Sequence, residues 1–176
     1  MSAITDTPSN RNFLSPLNFT FKIQRAPHVN FFIQKVNLPG LSVQPIMVSN
    51  PMIKVPYSGE HLSYEEFKIT FRVDEDLQNY MEIYNWIIGL SKPDNYDEYK
   101  NLQNQKPYTG GGIVSDLNLT LLTAARNSNY LITFVDAFPV SLDSLQFDTT
   151  SSDVNFLDVT ASFRYTSFNI TNVFSG

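Results

Sequence analysis

The chain has no cysteine, which removes disulfides, thiolate nucleophiles and sulfur-ligated metal sites at once. Histidine occurs only at His28 and His61, and neither has a second metal-type ligand at motif spacing. Both are therefore expected in structural or surface roles. Charge is also scarce. Asp, Glu, Lys and Arg make up 16% of the chain, against about 25% in an average soluble domain. A surface so thinly charged suits burial against partner subunits. The 12 Lys and Arg are outnumbered by 17 Asp and Glu, and Arg11, Arg25, Arg72, Arg126 and Arg164 are scattered. With a net charge of -5 and no basic stripe, the chain is not built to grip phosphates. No stretch approaches the ~20 apolar residues of a membrane span. The opening residues MSAITDTPSNRNFLSP lack the basic start and apolar run of a secretory signal, so no membrane anchor and synthesis in the cytosol are expected.

What the chain does have is aromatic residues, 14 Phe and 9 Tyr among 176, a composition that favours sheets over helical bundles. The stretch from Tyr64 to Leu90 organises the rest. Phe67, Ile69, Phe71 and Val73 alternate with Lys68, Thr70 and Arg72, the period of a half-buried strand. After Asp74-Glu75-Asp76 the period changes. Leu77, Tyr80, Met81, Tyr84, Ile87 and Ile88 fall on one helical stripe, which predicts an amphipathic helix over about 74–90. Carboxylates in its first turn suit the helix dipole, Asp74 can cap it, and Gly89 and Pro93 are stop signals.

Residues 1–16 read as a flexible N-terminal arm, and 17–176 as a single β-rich domain. Leu17, Phe19, Phe21 and Ile23 alternate in a first strand. Arg25-Ala26-Pro27-His28 reads as a turn, and Phe31, Ile33 and Lys35 as the strand returning from it. Beyond the corner Leu38-Pro39-Gly40, two short strands flank Ser49-Asn50-Pro51. Pro45, Pro51 and Pro56 cannot donate to a ladder, so this hairpin should project from the body. Residues 91–112 lack a period and read as a long connection. The last third alternates again: Leu117 to Leu121, a turn at Arg126 to Asn129, then Tyr130 to Phe134. A turn at Ala137 to Val140 should lead into Leu142 to Phe147, and Val159 to Tyr165 closes the pattern. Eight or nine strands and one main helix predict a mostly β fold, a two-sheet antiparallel β-barrel or sandwich flanked by the helix.

No enzyme signature appears, and no cofactor or metal site is expected. Asp74-Glu75-Asp76 lacks the spacing of a calcium loop. Asp94, Asp97 and Glu98 share a polar loop with little to perturb them. Gly110-Gly111-Gly112 has neither the strand–turn–helix setting nor the lysine of a phosphate cradle, and reads as a hinge. No serine stands in a nucleophile elbow.

The order of segments resembles the tail tube proteins of contractile-tailed bacteriophages and their tube-initiator relatives. The resemblance rests on NFFIQKVNLPGLS with its Leu38-Pro39-Gly40 corner, on Phe71-Arg72-Val73-Asp74-Glu75-Asp76, on Asn85-Trp86, and on Leu145-Gln146-Phe147-Asp148-Thr149-Thr150 before an alternating strand. It implies hexameric rings stacked into a hollow tube, inner sheets joined into one barrel, and loops and a hairpin reaching the next ring. It implies sheath and baseplate or neck proteins as partners, a place in the virion tail after assembly in the host cytoplasm, and DNA passing through the lumen unheld. Main tube, single-ring initiator, terminator and baseplate component share this implication, and a non-tube β-sandwich interaction module is the other reading. Subunit contacts are expected at Val43, Pro45, Met47, Pro51, Ile53, Val55 and Tyr57 of the hairpin. Tyr96, Tyr99 and Tyr108 of the long connection are expected to join them. The polar faces of the strands are expected to line the channel.

Overall fold

The computed structural model describes residues 12–91, 113–150 and 156–173. In chain order the elements are β1 (Phe19–Ile23), α1 (Pro27–Phe31), β2 (Ile33–Asn37), β3 (Leu41–Val43), β4 (Ile46–Ser49), β5 (Lys54–Tyr57) and β6 (Leu62–Tyr64). They continue with β7 (Phe67–Arg72), α2 (Gln78–Ser91), β8 (Ser115–Leu122), β9 (Ser128–Leu142), β10 (Asp158–Arg164) and β11 (Ser167–Asn172). Seven strands form one antiparallel network in the order β1-β8-β9-β10-β7-β2, with β11 also on β9. The first half of β9 pairs with β8 and β11, and its last residues pair with β10. The network thus folds into two layers, β1-β8-β9-β11 and β2-β7-β10-β9. Asp136, at φ 55°, sits where β9 passes from one layer to the other, and its N–H donates to Asp116 Oδ1 at 3.2 Å. The arrangement is sandwich-like and does not close into a barrel among the described residues.

The core lies between the layers. The alternating residues Phe67, Ile69 and Phe71 of β7 are fully buried, as are Val159, Ala161 and Phe163 of β10, which is what period-two patterning against a facing sheet requires. Phe67 of one layer stacks on Phe21 of the other at 5.4 Å between ring centroids and meets Phe134 at 4.4 Å. The opposite face of β7 carries Lys68, Thr70 and Arg72. Thr70 faces Thr160 in register, the two hydroxyls 3.2 Å apart, and Arg72 Nε donates to Asp158 at 3.0 Å. α2 inserts Ile83 and Trp86 into the core. Trp86 Nε1 donates to the Ile113 carbonyl at 2.9 Å, and the Arg25 guanidinium lies 5.0 Å from its ring.

Several local expectations change. The 25–28 segment is not a hairpin turn: α1 begins within it at Pro27, and β1 and β2 belong to different layers, on β8 and β7. The Asn30 side chain holds that crossing, its Oδ1 accepting from the Ile23 N–H at 2.7 Å and its Nδ2 donating to the Ile23 carbonyl at 3.0 Å. α2 begins at Gln78, so the three carboxylates precede it in a turn closed by the Leu77 N–H on the Asp74 carbonyl at 3.1 Å. Leu77 at φ 56° breaks the helical path. Gly89 is inside the helix and buried, not a terminator. The helix is rotated by about one residue from the expected stripe: Asn79, Ile83, Trp86 and Gly89 are buried, while Leu77, Met81 and Tyr84 are exposed. β9 runs straight through Ala137 to Val140, with Pro139 opposite Phe163. The strand expected from Leu142 to Phe147 ends at Leu142, and β11 is an additional strand.

Candidate functional site

Between Gly40 and Glu65 the chain leaves the sandwich as a two-stage arm. At its base β3 pairs with β6, and the Gly40 and Glu65 backbones are tied by the Glu65 N–H on the Gly40 carbonyl at 3.2 Å. The Gly40 N–H in turn donates to Glu65 Oε2 at 3.2 Å. Further out β4 pairs with β5 in the register Ile46↔Tyr57, Met47↔Pro56, Val48↔Val55, Ser49↔Lys54. Directly opposed residues share a face, so Ile46, Val48, Val55 and Tyr57 make one face apolar throughout. At the bend between the stages Gly59 passes so close to the Gln44 carbonyl oxygen that a Cβ would stand 1.8 Å from it. Only glycine fits there.

Of the expected contact residues, Val43, Pro45, Met47, Pro51, Ile53 and Tyr57 are exposed on this arm and Val55 is half-buried. Tyr96, Tyr99 and Tyr108 lie outside the described residues, as do residues 1–11 of the N-terminal arm, Asp94, Asp97, Glu98 and the three glycines. An isolated two-stranded ribbon is marginal in water, and this one presents apolar side chains to solvent along its length. Within the sandwich, β1 and β2 end the strand order with unpaired edges among the described residues. Open edges of that kind are templates for another chain.

A family model described as phage tail tube protein matches residues 6–171. The chain belongs to the phage tail tube protein family. Comparison with curated proteins finds no match. The fold is similar to that in the tube-terminating cap of the anti-feeding prophage, at 13% identity and TM-score 0.59 over 98% of this chain and 100% of that one. It is similar to a chain of the anti-feeding prophage baseplate, at 12% identity and TM-score 0.55, covering 89% and 92%. A third is the sheath/tube terminator of PVC, an extracellular contractile injection system, at 15% identity and TM-score 0.53, covering 92% and 99%. At these identities the likeness establishes the fold.

In this tail tube family member the titratable groups serve structure where they are perturbed. Glu82 on α2 accepts from both the His28 N–H, at 3.2 Å, and His28 Nδ1, at 2.5 Å, which raises the His28 pKa through the hydrogen bond first and the carboxylate charge second. Burial, followed by the neighbouring Tyr64, pushes the Tyr165 hydroxyl up to about 12, and that hydroxyl donates to the Glu65 carbonyl at the base of the arm at 3.0 Å. Thr150 donates to Asp148 through its hydroxyl and its N–H and lowers that carboxyl. Among the described residues no three His, Cys, Asp or Glu side chains gather as a metal site, and no helix is long and apolar enough to cross a membrane. What sequence patterning missed is a hollow beside the β7–α2 junction, where Leu77, Phe147 and Phe156 meet. The two phenylalanines stand in irregular chain, where no period marks them.

Proposed function

We propose that the chain is a structural subunit of a contractile tail, closing into hexameric rings that stack into a hollow tube through which DNA passes. The observation that carries this reading is the arm from Leu41 to Tyr57, an apolar ribbon that its own sandwich leaves exposed. Rings built from such sandwiches satisfy the unpaired edges of β1 and β2, and stacked rings cover the arm. Val43, Pro45, Met47, Pro51, Ile53, Val55 and Tyr57 are the proposed contacts, with Tyr96, Tyr99 and Tyr108 contributing from the connection. Family membership supports the assignment.

The polar faces of the strands, not the buried Phe67, Ile69 and Phe71, are proposed to line the channel. A net charge of -5 suits a lumen that passes DNA without holding it, since clustered cations would trap the phosphates. The protein works without cofactor and without catalysis, in the virion tail, assembled in the host cytoplasm beside sheath and baseplate or neck proteins.

Negative-stain electron microscopy at high protein concentration, with mass in solution taken alongside, tests the proposal. Six-fold hollow rings and tubes are the expected result. Rings that stop at one layer assign the chain to an initiator, terminator or baseplate ring. A monomer at every concentration, unaltered by Met47→Asp or Ile53→Asp, would overturn the reading.

A further inference from the structure

The hollow beside the β7–α2 junction has a volume of about 560 Å³ and is lined by Phe32, Val73, Leu77, Phe147 and Phe156, together with Asp74 and Glu75. Phe147 is 75% exposed and Phe156 68%, an unusual cost for two rings unless something covers them. Leu77 reaches the hollow from the left-handed region at φ 56°, where a bulky side chain is strained, and such strain collects at binding sites. Arg72 also borders the hollow, but its charge is taken up by Asp158 at 3.0 Å and its guanidinium lies over the Phe156 ring at 4.4 Å. No ion pair among the described residues takes up Glu75 or Asp76. The lining is therefore mainly apolar, and the charges left on it are the carboxylates of Asp74 and Glu75.

We propose that this hollow receives the tip of the arm, Pro51 to Lys54, from a second copy of the chain. The inference rests on reading the arm as a subunit contact and names where it lands. Charge complementarity selects the site. Between Leu41 and Tyr57 the single charged residue is Lys54, directly after Met52, 94% exposed, and Ile53, 64% exposed. The tip is thus an apolar knob with one cation beside it, the complement of a mainly apolar hollow with two carboxylates in its lining. The other large apolar hollow, about 700 Å³ between β1, α1 and β2, carries Lys22 as its charged lining residue and would set two ammonium groups together. Donor and acceptor occupy different places on one chain. Each copy can therefore give its tip to one neighbour and receive the tip of another, the head-to-tail geometry that rings and stacks require.

The absence of cysteine makes the test direct, because each introduced thiol reports one position. Full-length Met52→Cys is mixed with full-length Phe147→Cys, or with Phe31→Cys at the rival hollow, and a short bismaleimide traps neighbours. All three positions are exposed, so folding is preserved. Cross-linked dimers from the Phe147→Cys mixture should exceed those from the Phe31→Cys mixture several-fold. Adding Lys54→Glu to the donor, or raising the salt, should remove most of the excess. Pairing that donor with an acceptor carrying Glu75→Lys should restore it. Equal or greater trapping at Phe31→Cys, or indifference to both charge reversals, overturns the site. Rings in the microscope without the Phe147 cross-link discard this docking and leave the ring reading in place. A cross-linked head-to-tail chain without rings does the reverse, and neither rings nor cross-link overturns both.

Discussion

The side-chain amide of Asn79 donates to the carbonyl of Arg72 at 2.8 Å, tying the end of β7 to the first turn of α2. The same side chain accepts from the Asp74 N–H, and Asp74 Oδ1 accepts from the Asn79 N–H, both at 3.4 Å. Asn79 is fully buried, so its own side-chain amide lacks water as a substitute for these partners. Asn79→Ala should therefore cost about 1–3 kcal/mol, the range for stranding buried polar partners. Urea unfolding followed by the fluorescence of Trp86, the single tryptophan, measures it. An unchanged midpoint would mean that the acid turn holds α2 without this side chain.

Phe67 joins the two layers through Phe21, Phe134 and, at 6.4 Å, Phe163. Its truncation removes contacts on both sheets at once. Phe67→Ala is expected to lower stability by about 3–5 kcal/mol, within the range for a buried aromatic, where an exposed aromatic such as Phe31 should be nearly neutral. The same urea titration compares the two variants.

The His28–Glu82 contact makes the junction of α1 and α2 depend on pH. Glu82 and, more weakly, Asp74 are the charges acting on the imidazole. Because the folded-state pKa is raised, the stabilisation is fully present below the ordinary histidine value of about 6.5 and is lost as pH rises through the raised value. Melting temperatures of the natural chain and of His28→Gln should differ most at about pH 5.5 and converge by about pH 9. A constant difference across that range would mean that the imidazole charge contributes nothing, since His28→Gln keeps the backbone N–H on Glu82.

Gly59→Ala should misdirect the arm without unfolding the sandwich. The added methyl carbon meets a backbone carbonyl oxygen at 1.8 Å, so the chain and not a side chain must yield. Hydrogen exchange should accelerate in 41–64 while the amides of β7 and β10 stay protected, and self-association should fall with the arm. Unchanged exchange in the arm would contradict the close approach.

Much of this fold can be read from alternation: Phe67 to Phe71, Leu117 to Leu119 and Val159 to Phe163 bury the residues that period two selects, because a sheet with one buried face imposes that period. The projecting hairpin was legible from its prolines, which disqualify it from a central ladder. Pairing partners were not. That β1 goes to β8 instead of β2 depends on residues about a hundred positions away and on Asn30 binding Ile23. The helix face escaped because a polar residue, Asn79, is buried while Met81 and Tyr84 are not, which inverts the hydropathy rule. Leu77 adopts positive φ although it is a bulky apolar residue, so the start of α2 leaves no mark in composition; Asp136 is a residue type that tolerates positive φ, but one aspartate inside an alternating run does not mark the bend in β9. The hollow that receives a partner was hidden for a related reason: its lining comes from four separate stretches of chain that only the fold assembles.

That β9 serves both layers has a mechanical consequence. In a sandwich of two independent sheets, a shearing load is resisted by side-chain packing, which yields by small slips. Here the layers share one covalent strand, pinned by β8 and β11 on one half and β10 on the other. Displacing one layer along the other must tear backbone hydrogen bonds or straighten the kink at Asp136. The sandwich should deform as a single stiff piece and come apart in one step.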